Sequence, residues 1–166
     1  MIEVQINDEE VVARFQALQA RYADMSPAMN EIGFALVETT RERFFQGVSP
    51  DGVAWAPKSP ATIAAYEARG ERVDFRPLFG GSPAGIALHT SAAHDFGPDY
   101  VEVSSNKIQA AVMQFGARKG AFGTTSRGGS IPWGNIPARP FLGISDTDRN
   151  NIAATVEDWL ADALDG

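Results

Sequence analysis

Residues 26–57 read SPAMNEIGFALVETTRERFFQGVSPDGVAWAP, and this stretch decides the fold. Met29, Ile32, Leu36 and Val37 return at steps of three, four and one, which lays an apolar face along a helix. Ser26 stands as its cap and Pro27 takes the first helical position, where a missing amide is harmless. The helix runs through Phe44 and Phe45 to Gln46, and Gly47 is its left-handed stop. Ser49-Pro50-Asp51-Gly52 is then a turn by composition, because Pro fixes one dihedral and Gly permits a positive one. This turn presents Trp55 at a fixed place, either as a core anchor or as an interface anchor, since a large aromatic serves both purposes.

Towards the amino terminus, Ile2, Val4 and Ile6 alternate with Glu3, Gln5 and Asn7, the period of a half-buried strand. Asp8 is an N-cap, and Val11, Phe15, Leu18, Tyr22 and Met25 give an amphipathic helix over roughly residues 9 to 24. On the other side, Pro50, Pro57, Pro60, Pro77 and Pro83 interrupt the chain up to Gly97, and only Ser59 to Arg69 reads as a helix. A long irregular stretch in a small domain points to function, here a contact surface that becomes ordered on assembly.

Tyr100, Val101 and Val103 form a strand after the turn Gly97-Pro98-Asp99, with Ala87 to Ala93 as its hairpin partner. Lys107 to Phe115 is a short helix ended by Gly116. Residues 117–130, glycine-rich and carrying Arg118, Lys119 and Arg127, form a mobile arm. Ile136 to Ile144 resumes as a strand that Pro137 and Pro140 confine to a sheet edge. Ser145 caps the last helix with Asp148 in the reciprocal capping-box position, and Ile152, Val156, Trp159, Leu160 and Ala163 form its stripe. The reading is an α+β fold in one domain, residues 1–166: a small, mostly antiparallel sheet packed by helices from both ends of the chain.

The whole chain agrees with this. Its 166 residues are 44% hydrophobic and 21% charged, values of an ordinary globular domain. No run approaches the roughly 18 apolar residues of a membrane helix, and the first residues do not resemble a signal peptide, so the chain is expected to stay in the cytoplasm where it is made. Cysteine is absent, which removes disulfides, thiolate metal sites and cysteine nucleophiles. The net charge of -7 argues against a broad grip on nucleic-acid phosphates and suits a channel through which DNA slides.

A search for catalytic groups nominates no residue, no cofactor and no metal. His89, His94 and Asp95 have a spacing that suits neither a helix nor a strand, and no third ligand completes a zinc pattern. Gly80 to Gly85 matches the glycines of a phosphate loop, but Ile86-Ala87 stands where Lys-Ser/Thr is required. Neither Gly81-Ser82-Pro83 nor Gly129-Ser130-Ile131 makes a nucleophile elbow. Arg118, Lys119 and Arg127 are better suited to an acidic neighbour or to solvent than to nucleic acid.

Two segments stand out as a pair. The first runs Phe44-Phe45-Gln46-Gly47-Val48-Ser49-Pro50-Asp51-Gly52-Val53-Ala54-Trp55-Ala56-Pro57. The second joins Gln114-Phe115-Gly116, the glycine-rich arm and Ile136-Pro137-Ala138-Arg139-Pro140-Phe141-Leu142-Gly143-Ile144-Ser145. Together they resemble the phage virion morphogenesis family, which includes tail-completion proteins of contractile-tailed phages and the G-type proteins of Mu-like phages. The chain departs from the family after Pro77-Leu78, where Phe79-Gly80-Gly81-Ser82-Pro83-Ala84-Gly85 replaces the usual Thr-Gly-x-Leu step.

The resemblance implies a non-enzymatic virion component in the neck, between capsid and tail. Its copies, six by analogy with other tail-proximal proteins, would close into a ring between portal-proximal adaptor or stopper proteins and the tail tube, with genomic DNA passing through. A tail terminator proper, or an assembly chaperone lost from the finished particle, are the alternatives. Arg139, held between Ala138 and Pro140, is expected to bind a carboxylate on its own or a neighbouring subunit. Phe141 and Leu142 point to opposite faces if the segment is a strand, so that one faces a neighbour. The candidate interface residues are therefore Trp55, Arg118, Lys119, Arg127, Arg139 and Phe141.

Overall fold

A computed structural model describes residues 8–79 and 87–165. Among the described residues, five α-helices and one two-stranded antiparallel sheet make an α+β fold, in the order α1 (Glu9–Ala23), α2 (Ser26–Gln46), α3 (Pro60–Ala68), β1 (Ala92–Phe96), β2 (Val101–Ser105), α4 (Ala110–Phe115) and α5 (Asp146–Asp165). The strand expected over Ile2 to Ile6 and the glycines 80 to 85 lie outside the described residues.

α2 is the axis of the molecule. It packs against the β1–β2 hairpin and against α5, and α1 in turn packs on α5. Ala28, Ile32, Gly33, Leu36, Val37, Thr40, Arg43 and Phe44 are its buried residues, an apolar stripe that also admits one arginine. Gly47 ends the helix at φ 72° with its amide on the Arg43 carbonyl at 2.7 Å, as its lack of a side chain allows. At the other end the cap falls earlier than expected. Ser26 is already helical, and the Asp24 carboxylate accepts the Ser26 amide at 3.0 Å.

The hairpin register pairs Ala92 with Ser105 and Phe96 with Val101 around the expected turn, where Gly97 donates to the Tyr100 carbonyl at 2.9 Å. Its first strand begins later than Ala87, because Leu88 to Thr90 form a 3-10 turn that buries Leu88 in the core. α4 is shorter than Lys107 to Phe115, opening with the turn that joins the Ala110 amide to the Lys107 carbonyl. α5 starts as read: Asp148 donates its amide to Ser145 Oγ at 3.1 Å and accepts the Ser145 amide at 2.8 Å, a reciprocal capping box.

Ile136 to Ile144 is not a strand. Ile136 makes a single bridge to Ala117, and the rest is irregular chain, bent at Leu142 and Gly143, without a strand beside it. The arm expected at 117–130 takes a hairpin-like course, with Phe122 donating to the Ile131 carbonyl at 2.7 Å, Ile131 to Gly123 at 2.8 Å and Thr125 to Gly129 at 2.8 Å. The core proper gathers Phe44, Trp55, Phe79, Leu88, Ala110 and Phe141, one residue from each of six segments.

Candidate functional site

The turn after α2 is built as its composition requires. Gly52 donates to the Ser49 carbonyl at 2.9 Å, Ser49 to the Val53 carbonyl at 2.9 Å, and Trp55 to the Gly47 carbonyl at 2.8 Å. Trp55 is thereby turned inward. Its indole ring meets Phe44 edge to face at 5.5 Å, and its Nε1 donates to the Pro140 carbonyl at 2.9 Å. Phe44 also packs on Phe141 at 5.1 Å, and both are fully buried.

The answering contact comes from Arg139. Its Nε donates to the Ala56 carbonyl at 2.8 Å and its Nη2 to the Pro57 carbonyl at 2.9 Å. Those two carbonyls lie in irregular chain with no strand to satisfy them, and the guanidinium supplies two donors in a fixed fork. Burial pulls the pKa of Arg139 down from its ordinary value, the cost of holding a cation among carbonyls. Pro50 of the first segment rests against Gly143 of the second, so the two signature segments clasp each other at four places: Phe44 on Phe141, Trp55 on Pro140, Arg139 on Ala56 and Pro57, and Pro50 on Gly143.

Gln114 closes the arrangement. Its Oε1 accepts the amides of Phe141 (2.9 Å) and Leu142 (3.0 Å), and its Nε2 donates to the Leu142 carbonyl at 2.9 Å. One amide side chain thus replaces the neighbouring strand that this proline-rich segment lacks. Gly116 is needed beside it: at φ 73°, a Cβ there would stand 2.7 Å from the Ile136 carbonyl oxygen and 2.8 Å from the Ala138 nitrogen.

Beneath the clasp lies a buried ion pair. Arg43 reaches from α2 to the Asp148 carboxylate, to the Phe141 carbonyl at 3.2 Å and to the Gly143 carbonyl at 2.8 Å. Burial raises the pKa of Asp148, but the Ser145 amide and hydroxyl, the Thr39 hydroxyl and the Arg43 charge together outweigh it, so the carboxyl titrates below its ordinary 3.8. The capping aspartate of α5 is also the counter-ion of α2.

Trp55, Arg139 and Phe141 therefore stand inside the subunit, which corrects their expected place at an interface. Trp55 takes the core alternative, Arg139 binds two backbone carbonyls instead of a carboxylate, and Phe141 points into the core. Arg118, Lys119 and Arg127 are exposed on the arm, and among the described residues none of the three forms an ion pair.

Sequence reasoning missed Arg43 and Lys58, and it met Gln114 only as part of the Gln114-Phe115-Gly116 motif, without a role. Lys58 donates to the carbonyls of Asp74, Arg76 (2.7 Å) and Phe79, fastening the loop before residue 80, and its desolvation lowers its pKa. A legible signal existed for Arg43 alone: it occupies a position on the apolar stripe of α2, where a cation demands an internal partner. His89 and His94 are held apart. His89 stacks on Phe79 at 4.3 Å, and burial, followed by the Arg76 charge, lowers its pKa. His94 is hydrogen-bonded to Asn30 Oδ1 at 2.9 Å.

An open cleft of about 940 Å³ lies between α3, α4 and the chain at 132–137, lined by Tyr66, Leu78, Met113 and Trp133 among others. Of its three cations, Lys58 and Arg139 are held by backbone carbonyls, and Lys107 stands at the edge. Among the described residues no cluster of His, Asp and Glu is arranged to hold a metal, and no helix is long and apolar enough to cross a membrane.

Comparison with known proteins agrees with what this geometry selects. A protein of Escherichia phage Mu named "Putative capsid assembly protein G" is 30% identical over 136 residues, which cover 78% of this chain and 76% of that one. No solved structure matches. Residues 6–161 match the phage virion morphogenesis family and include both clasped segments, so the chain belongs to the phage virion morphogenesis family.

Proposed function

We propose that this chain is a structural subunit of a tailed-phage virion, working by assembly and not by catalysis, as one copy of a ring in the neck that joins head to tail. The observation that carries the reading is the use made of the family's signature residues. Trp55, Arg139, Gln114 and Phe141 all serve to bind one segment of the chain to another, and their polar atoms are engaged there. Such residues make a rigid building block. A heterologous contact repeated around an axis closes such blocks into a ring, and a ring with an acidic subunit lets DNA pass without adhering.

In this reading the neighbours along the axis are portal-proximal adaptor or stopper proteins on one side and the tail tube on the other, and six copies match a tail tube's symmetry. Mass spectrometry of purified particles together with an electron-microscopy reconstruction of the neck tests it. The expected result is this chain in the mature particle, as a ring on the tail axis. Its absence from mature particles would overturn the reading in favour of an assembly factor, and density at the end of the tail tube would make it the terminator.

A further inference from the structure

The charge of this chain is divided along its length. Residues 103–145 hold five of its 14 basic residues and none of its 21 acidic ones. They run from the end of β2 through α4, the arm and the chain that walls the open cleft, and they display Lys107, Arg118, Lys119 and Arg127. The α1–α5 pair is the reverse: over residues 8–24 and 146–165 there are ten acidic residues and three arginines, and eight of the acids stand exposed, whereas Asp148 is buried against Arg43. A chain of net charge -7 thus carries one acidic face and one basic face.

Each of these faces also exposes large apolar side chains. α1 contains no buried residue at all, and Phe15 and Tyr22 on one side of it are 67% and 71% exposed. At the cleft, Ile108 and Trp133 are 96% and 81% exposed, and Phe122 on the arm is exposed as well. A helix of fifteen residues with no fully buried side chain, held to its own subunit only along the Leu18–Arg21 side that meets α5, leaves most of its apolar surface without a partner. Exposed aromatics rimmed by charge mark contact sites.

We infer that the two faces are the two halves of one contact: α1 of one copy, backed by α5, docks its Phe15–Tyr22 side on the Ile108–Trp133 rim of the cleft and arm in the next copy. The occupant is a second copy of this chain because both complementary surfaces are present on the same molecule, apolar to apolar and acidic to basic. Since the two patches differ, the contact is heterologous, and repetition gives a ring or an open chain and not an isolated dimer. Arg118, Lys119 and Arg127 then meet the acids of a neighbouring α1–α5 pair. The inference rests on the ring reading and gives it an interface.

The absence of cysteine makes the test clean. A chain carrying both Phe15→Cys and Trp133→Cys is incorporated into particles and treated with bismaleimides of increasing span. A ladder of linked copies is expected. Either single variant alone should give no adduct, and a mixture of the two should stop at dimers, because each then offers one reactive half. Tyr22→Cys with Ile108→Cys is an independent pair at equally exposed positions. Dimers from Phe15→Cys alone would mean a two-fold α1–α1 contact, and an adduct with a different virion protein would mean another partner; either overturns the inference. If a lysine-directed cross-linker joins copies while neither cysteine pair does, the interface is wrong and the ring stands. If no reagent joins copies, the ring reading falls with it.

Discussion

Replacing Asp148 by Ala should be among the most damaging single changes in this chain. The substitution leaves the Arg43 guanidinium buried between α2 and α5, with only the carbonyls of Phe141 and Gly143 for partners. Breaking a buried pair by removing one member costs about 3–5 kcal/mol. The same change removes the reciprocal cap of α5, worth about 1 kcal/mol, though the two losses overlap because one carboxylate serves both. About 4 kcal/mol is a large part of the 5–15 kcal/mol typical of a domain. For a domain of this size that corresponds to a fall in Tm of about 8–16 °C.

Urea unfolding followed by circular dichroism, run as a cycle with Arg43→Met and the double variant, measures this. The double variant should be less damaged than the sum of the singles by more than about 1 kcal/mol, because it leaves no unpaired buried charge. Additivity within about 0.5 kcal/mol, or an Asp148→Ala variant within about 1 kcal/mol of the parent, would refute the assignment. The pair also sets a pH limit. The folded-state pKa of Asp148 lies below its unfolded value near 3.8, so its contribution is complete above that pH and disappears as the pH falls through the folded value. The Asp148→Asn variant should lose less stability than the parent between pH 4 and pH 2.

Three further changes probe the clasp. Trp55→Phe keeps the contact with Phe44 but removes the donor to the Pro140 carbonyl, and should cost about 1–3 kcal/mol in a denaturant titration. Gln114→Leu strands the Phe141 and Leu142 amides; amide hydrogen exchange at these two residues should accelerate well before the rest of the core loosens, and unchanged protection would count against the side-chain ladder. Gly116→Ala places a methyl against the Ile136 carbonyl at a positive φ, so its thermal midpoint should fall by several degrees, whereas Gly134→Ala, in open space, should be near neutral.

The helices were legible because their signals are local. Asp8, the Ser59-Pro60 pair and the Ser145–Asp148 box all sit where an N-terminus needs acceptors, and Gly47 sits where α2 needs a left-handed stop. Trp55, Arg139 and Phe141 stand out in the sequence, but whether each serves the core or an interface stays open there, and the structure turns all three inward. A tryptophan or an arginine between prolines announces a directed contact, yet its partner lies more than 80 residues away, and no local pattern names it. The segment at 136–144 failed as a strand for the same reason. Its prolines remove ladder donors, and the replacements come from Gln114, Trp55 and Arg43, whose reach only the fold reveals. His89 and His94, five residues apart in sequence, face different neighbours because the 3-10 turn and β1 intervene.

The clasp between residues 55–57 and 139–140 has a consequence for the order of events in the cell. A nascent chain emerging from the ribosome presents α2 and the Trp55 turn long before Arg139, Phe141 and Asp148 exist. The amino-terminal third is therefore made with its largest apolar side chains uncovered and with Arg43 lacking its counter-ion. Closure must bring together residues about 85–105 apart, a loop whose entropy opposes early contact and whose formation is slow compared with helix growth. Subunits would thus mature only after synthesis is nearly complete, which keeps half-made chains out of a growing assembly.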